Sequence, residues 1–157
     1  MSEHLADHLT GSGPTALAYG FSIARPFEDG IDPTAKRFVD DIGQALCGDR
    51  FQVAARIGST IETDRPYFVP IFPVLAEQRA IRVRFYVTAE RDPRYIDDPG
   101  STEIGVLEAD ISDTVGRPAP ERGVGLSVYF EQKVLRAAAL VLSIGTKVEI
   151  RLELRSG

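Results

Sequence analysis

The chain has 157 residues, 43% hydrophobic and 26% charged, the proportions of an ordinary globular protein rather than of a disordered, collagenous or disulfide-stapled one. Its 18 basic and 23 acidic residues leave a net charge of −5, so the positive field that a general binder of nucleic acid or anionic membrane needs is missing. A single cysteine closes no intramolecular disulfide and makes no metal cluster, which fits a reducing, cytosolic setting.

Residues 1–14 end in Gly11-Ser12-Gly13-Pro14 and carry neither periodicity nor apolar mass, so they read as a flexible leader before one domain over residues 15–157. The leader has no basic start followed by an apolar stretch, so no secretory signal is expected, and no apolar run approaches the ~18 residues that span a bilayer. Thr15 to Ile23 is short and apolar, and Gly20 within it suggests a strand with a kink or a close backbone approach. A loop follows to Pro33. Over residues 34–50 the spacing of Phe38, Val39, Ile42, Ala45 and Leu46 suits a helix, while Gly43 and Gly48 suit an irregular hairpin, and both readings stay open.

Phe51, Val53, Ala55 and Ile57 alternate with more polar neighbours, as a half-buried strand does. Tyr67 to Leu75 is apolar but lies among Pro66, Pro70 and Pro73, which confines such a strand to an edge or an irregular position. In Ala80 to Val87, the clearest strand, Ile81, Val83, Phe85 and Val87 face one way and Arg82, Arg84 and Tyr86 the other. Arg91 to Thr102 is turn-rich and gives no reason to pack. Strands are predicted again at Ile104–Ile111, Val124–Glu131 and Lys147–Leu154, whereas the alanines of Lys133–Leu142 suit a helix on propensity. Short strands with turn clusters between them predict an all-β fold, an antiparallel β-sandwich. Any helix is expected within residues 34–46.

Catalytic chemistry is sparse. Cys47 has no histidine near it in sequence to activate it, and reads as a structural cysteine. His4 and His8 have an i, i+4 spacing but lack the further ligands of a zinc site. Gly11-Ser12-Gly13 is no phosphate loop, and Asp92, Asp97, Asp98, Glu103, Glu108 and Asp110 lack the spacing of a calcium loop and read as a solvated face. Arg82, Arg84 and Tyr86 form a small stripe that suits either a charged contact surface or a solvated sheet face. No enzyme activity, cofactor, metal or nucleotide binding is expected.

From Ala16 to Leu154 the chain resembles the β-sandwich substrate-binding domain of the heat shock protein 70 family, most of all its divergent, lidless-looking eukaryotic branch. The resemblance lies in the order and spacing of Ala18-Tyr19-Gly20-Phe21, Pro26-Phe27, Phe38-Val39-Asp40, Ile42-Gly43-Gln44, Cys47-Gly48-Asp49-Arg50-Phe51, Arg56-Ile57-Gly58-Ser59-Thr60-Ile61 and Asp64-Arg65-Pro66. It continues through Asp97-Asp98-Pro99-Gly100, Ile104-Gly105-Val106-Leu107, Pro118-Ala119-Pro120-Glu121-Arg122-Gly123 and Val128-Tyr129-Phe130. It implies two antiparallel sheets whose loops hold an extended peptide in an apolar channel, with Phe21, Ile23, Val69, Ile81, Val83 and Val134 contributing to the pocket. Each of these also suits a place in the sandwich core. No phosphate loop is recognisable, and the family's ATPase domain and helical lid are expected to be absent, so the resemblance implies binding uncoupled from nucleotide hydrolysis. Phe27 to Arg50 is also longer than the matching loop of conventional members.

The expected function is a non-enzymatic, chaperone-like domain that binds extended apolar peptides or unfolded protein. The alternative is a regulatory interaction domain whose groove is closed and whose sheet face or edge meets a folded partner.

Overall fold

A computed structural model describes residues 16–58, 65–131 and 134–154 of the chain. The leader with its two histidines, residues 59–64 of the expected turn and proline step, and Lys133 lie outside the described residues. Among the described residues, nine strands form two antiparallel sheets. The first runs β2(Arg37–Val39)-β3(Ala45–Ala55)-β1(Ala18–Pro26)-β5(Ala80–Thr88)-β6(Thr102–Asp110). The second runs β4(Tyr67–Ile71)-β7(Val124–Glu131)-β8(Val134–Val141)-β9(Lys147–Glu153).

The sheets face each other across an apolar core. Tyr19, Phe21, Ile81, Val83, Phe85, Leu107 and Ala109 from the first meet Val124, Leu126, Val128, Phe130, Leu135, Ala137, Ala139 and Val141 from the second. Phe21 joins the layers, with its ring 6.1 Å from both Phe85 and Tyr67. The period-two alternation in the sequence is thus the alternation of core and outer face. Pro70 sits in β4, the edge strand of the second sheet, as the prolines predicted.

Two open readings are settled and one expectation changes. Residues 34–50 form a short 3-10 turn at Thr34–Lys36 and then the β2–β3 hairpin, because Gly43, with φ of 85°, turns the chain back and β2 pairs with Ala45–Cys47. Val134–Val141 is a strand, not a helix. It lies between β7 and β9, so both sides of its backbone are hydrogen-bonded, and this pairing overrides the helix propensity of alanine. Among the described residues helical geometry is limited to 3-10 turns, but two of them, Ser112–Thr114 and Ala119–Arg122, fall outside residues 34–46.

A second, smaller apolar layer lies on the outer side of the first sheet. There Phe51 and Tyr86 are buried, with rings 6.2 Å apart. A register shift between Phe85 and Tyr86 accompanies this placement. The Arg82 and Arg84 stripe pairs across β5–β6 with Glu108 at 3.3 Å and Glu103 at 3.6 Å, so its charge is locally balanced.

Candidate functional site

At one end of the sandwich, three segments distant in sequence enclose a cleft of about 200 Å³. They are the β2–β3 turn Asp40–Ile42, the loop Pro73–Ala76 after β4, and Arg117, Ala119 and Arg122 before β7. Such a volume suits one or two apolar side chains rather than a cofactor.

The cleft is held by hydrogen bonds within its walls and between two of them. In the β2–β3 turn, the Asp40 carboxylate accepts from the amides of Ile42 at 3.1 Å and Gln44 at 2.8 Å. The turn so fixed presents Ile42 to solvent, 85% exposed. In the second wall, Gln78 accepts from the Val74 amide at 3.0 Å and donates to the Ala80 carbonyl at 2.8 Å, while Leu75 stays exposed.

Arg122 joins the second wall to the third. It is fully buried, and its guanidinium donates to the Thr114 hydroxyl at 3.0 Å, the Leu75 carbonyl at 3.2 Å, the Ala76 carbonyl at 2.9 Å and the Gln78 carbonyl. Thr114 in turn donates to the Ile111 carbonyl at 2.6 Å. The planar fork of arginine can serve acceptors on several sides at once, which suits it to bracing a loop.

The first wall belongs to the long Phe27–Arg50 segment, which packs against residues 94–98. The loop expected to have no reason to pack therefore does so. The Asp32 carboxylate, with no exposed side-chain surface, accepts from the Tyr95 hydroxyl at 2.5 Å, Arg94 Nη2 at 2.9 Å and Nε at 3.1 Å, and the Glu28 amide at 2.8 Å. The Tyr95 hydrogen bond, reinforced by the Glu28 amide and Arg94, outweighs desolvation and holds the Asp32 carboxyl well below the usual carboxylate range. Lys36 bridges Asp97 at 2.8 Å and Asp49 at 3.3 Å, so part of the acidic set is paired rather than merely solvated. Cys47 is buried within this segment and donates to the Gly48 carbonyl at 3.3 Å. Burial pushes its thiol above the ordinary value, the environment of an inert cysteine.

Of the residues implied by the resemblance, Phe21, Ile81 and Val83 are buried in the inter-sheet core, and Ile23 and Val69 are half-buried against it. Val134 is also buried but lies outside that cluster, since its neighbour Leu135 takes the core face of β8. None of the six lines the cleft. Ile81 is 4% exposed, so Ile81→Ser is expected to lower stability by about 2–5 kcal/mol through a cavity and an unpaired hydroxyl. The urea midpoint reads it. An unchanged midpoint with altered peptide affinity would instead make Ile81 a binding wall.

No protein-family model matches the chain. The chain is similar to heat shock 70 kDa protein 12A of Homo sapiens, 22% identical over 138 residues that cover 87% of this chain and 20% of that protein. It thus spans a fifth of that relative's length, and the similarity supports a heat-shock-70-like relationship.

Proposed function

We propose that the chain is a non-enzymatic, chaperone-like domain that holds extended apolar polypeptide segments at the cleft between the β2–β3 turn and the loop after β4. The observation that carries this reading is the cleft itself, a depression between braced walls with Ile42 and Leu75 exposed beside it. An extended peptide could place one apolar side chain there while its backbone meets polar groups of the loops. The similarity to a heat shock 70 kDa protein agrees with this reading. In it Phe21, Ile81 and Val83 in the core, and Ile23 and Val69 packed against it, belong to the scaffold that carries the cleft.

A second reading rests on a different observation. Phe68, Phe72, Leu140 and Leu142 are exposed, and Phe68 and Leu142 both approach Gly125 on the outer face of the second sheet. Such a patch suits a folded protein partner.

Two variants separate the readings. Ile42→Asp, at a residue 85% exposed, is expected to leave the urea midpoint unchanged and to weaken binding of a fluorescein-labelled, leucine-rich heptapeptide by about ten-fold or more. Phe68→Asp is expected to leave that binding intact. Fluorescence anisotropy in which only Phe68→Asp weakens binding would move the site to the sheet face. A parent protein that binds no such peptide would remove the cleft reading.

A further inference from the structure

The wall formed by Asp40–Ile42 joins β3 to a strand whose own sheet pairing is slight. Strand β2 lies at the edge of its sheet and contributes only Arg37, Phe38 and Val39 to the ladder with β3. Three pairs at an edge hold a hairpin weakly, so its position needs another anchor. That anchor is the buried carboxylate of Asp32, on which donors from Arg94, Tyr95 and the Glu28 amide converge. The 94–98 side is itself fixed to β3, since the Phe51 amide donates to the Arg94 carbonyl at 2.9 Å and the Ile96 amide to the Asp49 carbonyl at 2.9 Å. Lys36, between Asp32 and β2, adds its bridge to Asp97.

We infer that Asp32, Arg94 and Tyr95 are positioning residues of the peptide cleft, pinning the inserted segment to the sandwich and so setting where the Asp40–Ile42 wall stands. The inference rests on the peptide-binding reading above. None of the three residues lines the cleft, so their effect on a ligand is exerted through the wall alone. A buried carboxylate cannot lose its partners cheaply, and the segment therefore leaves its seat only by breaking several charge-assisted hydrogen bonds together.

Asp32→Asn keeps the side-chain shape while removing the charge. Hydrogen exchange should quicken by about ten-fold or more across residues 37–46 and stay unchanged across β7 and β8. The dissociation rate of the labelled heptapeptide should rise with it, by a similar factor. Tyr95→Phe, which deletes the hydrogen bond to Asp32 and the one that the hydroxyl accepts from Arg94 Nε at 3.1 Å but leaves the Asp32–Arg94 ion pair, should produce a smaller change in both readouts and serves where Asp32→Asn fails to fold. Unchanged exchange over residues 37–46 overturns the inference, as does faster exchange with an unaltered dissociation rate, which would leave these residues a purely structural part. A parent that binds no peptide removes the peptide-binding reading and this role with it. A parent that binds, with a variant that releases peptide no faster, removes this role alone.

Discussion

Gly20→Ala is expected to destabilise the protein by roughly 3–5 kcal/mol, among the largest effects of any single methyl group in this chain. A Cβ at that position would stand 2.1 Å from the Gln52 carbonyl oxygen and 2.5 Å from Cε1 of Phe51. The oxygen cannot swing aside, because it belongs to β3, which runs between β1 and β2 within the sheet. The register of β1 against β3 shifts between Tyr19 and Gly20, so the two backbones meet out of regular step there. Relief would require prising β1 from β3 and moving the Phe51 ring. A urea titration should show a lower midpoint at similar slope. A loss below about 1 kcal/mol would mean that the strands can separate more easily than their pairing suggests.

Arg122→Met is expected to cost on the order of 3 kcal/mol or more, because the buried Thr114 hydroxyl and three part-buried carbonyls lose their donor together. The carbonyls of Leu75, Ala76 and Gln78 and the Thr114 hydroxyl all receive from this one guanidinium. Methionine preserves much of the side-chain bulk, so the loss reports on hydrogen bonding rather than on a void. Arg122→Lys should fail to rescue it, since an ammonium group cannot reach four acceptors spread around a planar fork. Thermal or urea denaturation measures the cost, and hydrogen exchange over residues 73–79 locates it. Wild-type stability in both variants would show that solvent replaces the arginine at no penalty.

The sandwich was legible in the sequence where strands have one wet and one dry face. Ile81, Val83 and Phe85 alternate with Arg82 and Arg84, and Ile150 and Leu152 with Arg151 and Glu153, so the pattern alone gives both type and orientation. It was not legible in β8, where small alanines satisfy either geometry and only neighbours on both sides decide. The site was less legible. Phe21, Ile81 and Val83 are apolar strand residues, and composition does not separate a core position from a binding wall. Arg122 sits in a proline-rich segment that reads as surface, and its partners around residues 75–78 lie 44 to 47 positions away. Asp32 and Arg94 are 62 positions apart, so nothing local announces their contact. The cue within reach was the unusual length of Phe27–Arg50, since an insertion of that size must be anchored somewhere to keep one conformation.

Proline at position 70 bears on how this molecule behaves when crowded. Among the described residues, β4 borders the second sheet and has a hydrogen-bonded neighbouring strand only in β7. A free border flanked by Phe68 and Phe72, both exposed, is the kind of template on which like chains stack into fibrils. Pro70 stands midway between those phenylalanines without an amide proton, interrupting the run of donors that an incoming strand would need. A proline so placed is expected to keep a greasy rim from templating like chains.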